Sequence, residues 1–584
     1  MKIELVKVSN WRSIKGLEIK FQDLMIFIGQ NNHGKSNILS SLLFFFGEIK
    51  PQELDFNYGS QELFVEILFS DLDEADQTTF KKYVTADKKI RVRKTAYIGG
   101  NFEYHGYTET PADEFLQESS AASYTKRDVA ASLPFYQYLP EAGRLSKQDI
   151  VDAQEKYIQD NKDKISFNYI MEESNFLGLK SVAKGIFGNI YFIPAIKDAS
   201  EDFSSKEASS FGKIFSKIVT DMSNNNDDWK STKNNLTNLF GSLNEYDSNG
   251  DQNENRPTEL VEFEELLSAE LESWNAKINV EITPPNIDDV FRANTQVWVN
   301  DGVRTDIRRK GHGLQRALIF AMIKVMSDKA STINPDETST RTSSNSSFFV
   351  LEEPELFLHP QAQRAMFDSL ANLSGHNIQI TLCTHSSALI NVDQYKSICI
   401  VRKDSEAIGT RICQCTEEIF TGSDRDDFQL SSWLNPDRNE LFFAKRVLLV
   451  EGPTEKAIIP RLAKNLDVFR YDYTLVDCAS KSSIPLYCKL LNLFQIPYTA
   501  IYDTDLHNHK DESALTVAKR QTSELLAAIN PDFGKSVSFE IDIENELGFI
   551  AKGKNKPYSA LLKIEEGDYV IPGQLAQKIT NIYE

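Results

Sequence analysis

Two stretches of this chain run a short apolar segment into acid. In Val447–Pro460, VLLVEGPTEKAIIP, the residues Val447 to Leu449 and Val450 lead into Glu451 and Gly452, and Glu455 follows one helical turn on. Ile496–Asp505, IPYTAIYDTD, ends in Asp503 and Asp505. Carboxylate oxygens suit hard cations, so Glu451, Asp503 and Asp505 form a candidate set for magnesium or manganese. Further on, SFEIDIENELGFIAKGKNKPYSALLKI supplies Asp542, Glu544, Glu546 and Lys556. Glu455 with Glu544 or Glu546 could hold a second ion beside the first, and Lys556 could neutralise charge on a reacting phosphate. The bland alternative is acid at a helix N-terminus, where the dipole favours it, and ordinary surface charge. Asp-x-Asp also occurs at 71/73 and 424/426, but neither follows a long apolar strand.

A second chemical group lies at the other end of the chain. GQNNHGKS, Gly29–Ser36, fits G-x-x-x-x-G-K-[ST] between an apolar strand and a helix. Gly29, Asn31, Asn32 and Gly34 would bring backbone N–H groups to the phosphates of ATP. Lys35 would reach the β- and γ-phosphates, and Ser36 would ligate magnesium. FFVLEEPELFLHP, Phe348–Pro360, ends a buried-strand pattern in Glu352 and Glu353. The first suits magnesium and the second can polarise the attacking water. Other Glu-Glu pairs, at 172–173, 264–265, 417–418 and 565–566, follow no such strand. His385 ends another apolar run, IQITLCTHS, and at that spacing resembles the histidine that senses the γ-phosphate in ABC-type ATPases. RRKGHGLQRALIF resembles an ABC signature loop through Gly311, Gly313 and Gln315. It departs from that pattern by carrying Lys310 where serine is expected and His312 between the glycines. A signature loop normally faces the P-loop of a second subunit, which implies a dimer.

The elements that must carry these residues follow from hydrophobic period. Strands are expected at KIELVKVS, LEIKF, DLMIFIG, 62–69 and 89–96, with a helix from Gly34 to Phe46. Residues 111–186 read as helical and polar, YFIPA returns to sheet, and Glu259–Lys277 has helical spacing. The Asn-, Asp- and Ser-rich stretches SNNNDDWKSTKNN, NEYDSNGDQNENRP and NPDETSTRTSSNSS read as exposed insert or loop. From Lys445, strands 446–450, 473–477 and 498–502 alternate with helices 454–465, 482–494 and 511–528, which predicts a largely parallel sheet. Gly452 reads as the residue that permits a tight exit from the first of these strands. The expected division is 1–144 and 278–425 for an ATPase head, 145–277 for an inserted helical subdomain, and 426–584 for a second α/β domain.

Bulk properties bound the reading. A chain of 584 residues exceeds one core. A net charge of −21 argues against a surface coated in phosphate-binding lysines, leaving nucleic acid to a local basic groove or a partner. No apolar run approaches a membrane span, and the N-terminus lacks the apolar core of a signal peptide, so the cytoplasm is expected. The six cysteines, from Cys383 to Cys488, show no metal-ligand spacing and read as reduced, mostly buried thiols.

Residues 1–400 resemble an α/β ABC/SMC-like ATPase head interrupted by a helical dimerisation subdomain, and VSNWRSIKGLEIKF resembles the opening of RecF- and SMC-like ATPases. A strand ending in Glu-Gly followed by one ending in Asp-x-Asp is the layout of a Toprim domain. LEEPELFLHP followed by VEGPTE, DTD and a terminal Lys-Pro resembles the OLD (overcoming lysogenization defect) family over nearly the whole chain. The resemblance implies a homodimeric or higher-order ATPase fused to a Toprim endonuclease that cuts or nicks DNA with divalent metal. It also implies a role in defence against phage. The partner would be helicase-like, as in Gabija systems, or a retron reverse transcriptase with its RNA–DNA. VDCASKSSIP stands where that family has a glycine-rich turn, and no role is assigned to it. The alternative is an ATP-gated DNA-binding or sensing clamp that cuts nothing. A topoisomerase or primase is disfavoured because neither needs an ABC head.

Overall fold

In the computed structural model of the chain, the described residues are 1–161, 164–179, 182, 185–195, 226–244, 253, 256–270, 279–280, 297–330, 344, 346–375, 377–403, 405, 407–418, 436–504, 512–548, 555–566 and 569–584. They form two compact units. The first comprises Met1–Ile190, Thr338–Glu355 and His359–Glu584, and the second Tyr191–Glu337 with Leu356–Leu358.

The first unit contains three sheets. Strands β1 (Lys2–Trp11), β2 (Ile14–Lys20), β4 (Glu62–Ser70), β5 (Ile90–Tyr97), β6 (Phe102–Pro111) and β7 (Phe167–Met171) form an antiparallel sheet in the order β2-β1-β4-β5-β6-β7. In β1, Val6 and Val8 are buried while Leu5, Lys7 and Ser9 are less so, as a sheet with one packed face requires. In the second sheet, β3 (Leu24–Ile28) lies between β12 (Ile378–Cys383) and β13 (Ile398–Lys403), both parallel to it. β11 (Ser347–Glu352) flanks β12 in parallel, and β14 (Thr410–Gln414) closes the β13 edge antiparallel. Beyond β11, Asn189 N–H donates to the Ser346 carbonyl (2.8 Å) where β8 (Asn189–Ile193) begins. Every residue of LMIFI in β3 is buried, which explains why this central strand reads as an unbroken apolar run.

The stretch 111–186 differs from the helical expectation. Among the described residues it holds short 3₁₀ turns, a one-turn helix at Arg127–Ala130, a longer helix at Lys147–Asp160, and β7. β7 is largely exposed, so no buried alternation marks it. Its pairing with the open edge of β6 makes it a strand. Helix Lys147–Asp160 packs Ile150 and Ala153 against Leu116, Phe135 and Leu145, so residue 145 lies inside a continuous cluster.

The third sheet has the order β16-β15-β17-β18, from β15 (Arg446–Val450), β16 (Tyr473–Asp477), β17 (Tyr498–Asp503) and β18 (Gly534–Phe539). All of its pairings are parallel, as the alternating pattern predicts. Its core joins Leu448, Val450, Ile458, Leu462, Ile501 and Phe539 to Ile564 and Ile579 from the last two helices. The turn before β15 also bonds to the second sheet's side of this unit. Asn439 Nδ2 donates to the carbonyls of Ile390 (2.7 Å) and Ser387 (3.3 Å), and Arg402 Nη1 donates to Gln495 O (2.7 Å).

The second unit contains helices Asp227–Gly241, Thr258–Glu270 and His312–Ala330, and a ribbon of β9 (Trp298–Asn300) and β10 (Arg304–Asp306). Of the helix expected at Glu259–Lys277, residues 271–277 lie outside the described residues, as do most of the polar stretches. All six cysteines are buried and none is in a disulfide. Among the described residues no helix is long and apolar enough to cross a membrane.

Candidate nucleotide site and acidic centre

Strand β3 delivers Gly29 to the start of a loop that leaves no room for a side chain at its two glycines. A β-carbon on Gly29 (φ 147°) would collide with the Val401 carbonyl oxygen of β13, and one on Gly34 (φ 106°) with the Thr410 side chain of β14. Asn32 also has positive φ (63°), a conformation asparagine tolerates better than most residues. Gly34 is the N-cap of helix Lys35–Phe45, whose first-turn N–H groups need an acceptor. Lys35 Nζ donates to the carbonyls of Gly29 (2.8 Å) and Gln30 (3.0 Å). Burial draws the Lys35 ammonium below the usual lysine range, while Glu352, Glu353 and Glu355 pull it back up.

The acids of the second stretch come to the same place. Ser36 Oγ donates to Glu352 Oε1 at the end of β11. Glu353 sits at φ 43°, held by its N–H to the Cys383 carbonyl of β12 (2.9 Å). His385 Nε2 lies 3.8 Å from Glu353 Oε1, and burial holds the imidazole below its ordinary pKa. A carboxylate that the motif reading passed over completes the arrangement. Glu355 Oε1 accepts from His385 N–H (2.8 Å), and Oε2 has no hydrogen-bond partner among the described residues. Burial raises its pKa. Its signal in the sequence was only a third acid in EEPE, indistinguishable from a solvated one. Loop room, helix N-terminus, lysine and the Ser36–Glu352 pair fit a magnesium-bound nucleoside triphosphate.

The signature-like residues belong to the second unit. Gly311 is open, and Gly313 lies against the Phe357 carbonyl oxygen. Gln315 is buried, with Nε2 donating to the carbonyls of Ile307 (2.8 Å) and Lys310 (2.9 Å). Its amide therefore pins the loop. Lys310 donates to Asp301 and to the Val303 carbonyl.

The acidic centre forms at the carboxyl ends of β15, β16 and β17, the edge where ligands of parallel sheets gather. Glu451 Oε1 accepts from Asp503 N–H (2.8 Å), joining the two strand ends. Glu455 and Glu544 are both buried. Burial raises the Glu455 pKa, and the charges of Glu544 and Asp477 raise it further. Lys556 Nζ stands 3.8 Å from Glu544 Oε1. Glu546, the other candidate, is engaged elsewhere: Oε1 accepts from Lys578 Nζ (2.6 Å) and from Glu540 N–H (3.0 Å). Asp542 caps its short helix by accepting from Asn545 N–H (2.7 Å). Asp505 lies outside the described residues. Among the described residues no group of three or more His, Cys, Asp or Glu is gathered closely enough to hold a metal. Two buried acids whose charges meet, Glu455 and Glu544, are nonetheless a donor set suited to a hard divalent cation. Gly452 is extended (φ −161°), and the chain bends at Glu451 and Gly452 as it passes from β15 into the helix that starts at Pro453.

Lys481 was missed. It lies in the unassigned VDCASKSSIP turn, is buried, and donates through Nζ to the Asp503 carbonyl while stacking 5.3 Å over the Tyr502 ring. The Asp503 backbone is thus held at both ends, by Glu451 on its N–H and by Lys481 on its carbonyl.

Fold and sites together define a P-loop ATPase followed by a Toprim-type acidic domain. Residues 1–390 match the AAA ATPase domain family, and residues 442–505 match the TOPRIM domain of the overcoming lysogenization defect protein-like family. The chain belongs to the AAA ATPase domain family, and with its Toprim domain it is an ATPase–Toprim nuclease of the OLD family. The chain is 25% identical over 534 residues to the Old nuclease of Escherichia phage P2, covering 88% of this chain and 79% of that one. It is 28% identical over 264 residues to the OLD nuclease of Thermus scotoductus, covering 42% and 47% of the two chains. Endonuclease GajA of Bacillus cereus aligns over 184 residues at 24% identity, covering 28% and 26%. The chain thus spans most of the phage relative but only about half and a quarter of the other two.

Proposed function

We propose that this ATPase-coupled nuclease is a DNA endonuclease whose acidic centre uses magnesium or manganese, and that its P-loop site uses ATP to gate cutting. The single observation that carries the reading is the Glu451–Asp503 hydrogen bond, which brings two acids from separate strand ends to one sheet edge. A divalent ion there would supply Lewis acidity at a phosphodiester and a nucleophilic water at neutral pH. Glu451 and Asp503, with Asp505, would hold one ion. Glu455 and Glu544 would hold a second. Lys556 would offset negative charge on the phosphate, and Lys481 would keep the Asp503 turn in place.

At the other site, Lys35 and the loop N–H groups would bind the phosphates. Glu352 and Ser36 would hold magnesium. Glu353 would orient water, and His385 would report the γ-phosphate. Signature residues Gly311 and Gly313 would face the nucleotide of a second subunit, making the working form a homodimer or larger assembly. Gln315 would act by fixing that loop. Residues 1–144 and 278–425 would act as the head, 145–277 as the dimerising insert and 426–584 as the nuclease domain. The similarity to the Old nuclease and to endonuclease GajA supports the nuclease reading, and a role in antiphage defence, beside a helicase-like or retron partner, is part of the same proposal.

The test is nicking of supercoiled plasmid with magnesium or manganese by the native protein, Glu451→Ala and Lys35→Ala. The reading expects cutting that EDTA abolishes and Glu451→Ala lacks, with a changed ATP response in Lys35→Ala. Metal-dependent cutting retained by Glu451→Ala would place the chemistry elsewhere.

A further inference from the structure

The second unit carries a basic and aromatic cleft at the start of the signature-like stretch, formed by residues to which neither site assigns a role. Strands β9 and β10 pair with Trp298 opposite Asp306 and Asn300 opposite Arg304. One face of this ribbon therefore presents Trp298, Arg304 and Asp306 together. The 3₁₀ turn Ile307–Arg309 follows at once, with Ile307 buried beneath and Arg308 and Arg309 exposed. Trp298, Arg304, Thr305, Asp306, Arg308 and Arg309 line a cleft of about 660 Å³.

Three features set this cleft apart. Trp298 is 51% exposed, unusual for a side chain whose burial is so favourable. The Arg304 guanidinium stands over its ring, 5.3 Å from the centroid, so cation and aromatic face act as one platform. Three arginines face a single carboxylate, in a chain of net charge −21. That carboxylate is already committed, since Asp306 accepts from Arg308 Nη2 (2.6 Å) and Nε (2.9 Å). The neighbouring Lys310 is likewise tied to Asp301. Among the described residues, Arg304 and Arg309 are the cleft cations with no ion pair to a carboxylate, which leaves them to meet a partner.

We propose that this cleft binds an unpaired stretch of nucleic acid, with a base stacked on Trp298 and flanking phosphates held by Arg304 and Arg309. The chemistry selects the occupant. An aromatic face takes a base only where that base is out of a duplex stack, and arginine forks fit phosphate oxygens. An acidic peptide would satisfy the arginines and leave the indole unused. The inference rests on the nuclease reading, which makes nucleic acid the expected ligand.

The experiment uses the full chain in EDTA, which prevents cutting. A fluorescein-labelled oligo-dT, a blunt duplex of the same length and ATP are titrated separately, with anisotropy and tryptophan fluorescence recorded over a salt series. The native protein is expected to prefer the single strand and to show tryptophan quenching that Trp298→Leu loses. Arg304→Gln and Arg309→Gln are each expected to weaken binding about ten-fold and to lower the salt slope by roughly one. Trp298→Phe, which keeps a stacking ring, retains most of the affinity and guards against a folding defect. Unchanged affinity and slope in both arginine variants would overturn the proposal. So would equal quenching by duplex, or quenching by ATP and not by oligonucleotide. Plasmid nicking by the native protein separates the two readings. Nicking with unaltered cleft variants sinks only the cleft, and cleft-dependent binding without nicking sinks only the nuclease.

Discussion

Glu451 Oε1 and the Asp503 backbone N–H meet at 2.8 Å, so an acid of one strand end fixes the main chain of the other. This bond gives Glu451 two separable duties, an acceptor for Asp503 and a charge for a cation. Glu451→Gln keeps the acceptor and loses the charge. Its melting temperature is expected within a few degrees of native. Nicking should fall more than about 100-fold, since partners outside the coordination shell alone cost ~10–100-fold. Glu451→Ala should lose activity and also about 1 kcal/mol of stability or more, because the Asp503 N–H loses its acceptor. Equal melting and equal activity loss in both variants would show that the bond contributes nothing to the fold.

Lys481 holds the Asp503 carbonyl from the opposite side. Lys481→Met is expected to raise the manganese concentration for half-maximal nicking by about ten-fold, the effect of loosening a ligand through its support. Lys481→Arg should recover part of that loss. A variant that lowers the maximal rate at unchanged metal dependence would assign Lys481 to the reaction itself.

Asn439 ties the turn before β15 to the Ser387 and Ile390 carbonyls, just after His385. If the loop behind His385 moves with nucleotide state, this side chain transmits the movement to the strand that carries Glu451. Asn439→Ala should cost about 1 kcal/mol. Nicking without nucleotide should stay within about two-fold of native, a change under ~0.5 kcal/mol. The response to ATP should shrink. A full ATP response in this variant would remove Asn439 from the coupling.

Glu355 supplies a pH signature. Its buried carboxyl has a raised pKa in the folded protein, so the fold binds this proton more tightly than the unfolded chain does. The associated stability is present below the unfolded carboxyl pKa and is lost as pH rises through the raised folded value. Glu355→Gln keeps an oxygen for the His385 N–H and removes the titration. The melting temperature of the variant relative to native should therefore rise between pH 5 and pH 8. A difference independent of pH would mean that Glu355 ionises in the fold as it does in water.

Much of this molecule is written locally. The strand-to-helix setting of Gly29–Ser36, the buried run into Glu352 and Glu353, and the parallel alternation after Lys445 each follow from side-chain period within a single element. So does the placing of Glu451 and Asp503 at strand ends, because an apolar strand stops where its residues cease to suit burial. The order of the two sites along the chain needs no coordinates either.

Tertiary structure decided what meets across elements. Glu544 stands buried with Glu455, while Glu546 turns to Lys578, although the two acids lie two positions apart on the same short helix. Lys481 reaches the acidic centre from a turn whose composition reads as polar loop. Gln315 is drawn inward to bond two carbonyls. β7 becomes a strand because β6 offers an open edge. In each case the local pattern allows several partners, and the choice rests on the register of segments far apart in the chain. The propensities of a few neighbouring residues do not encode that register.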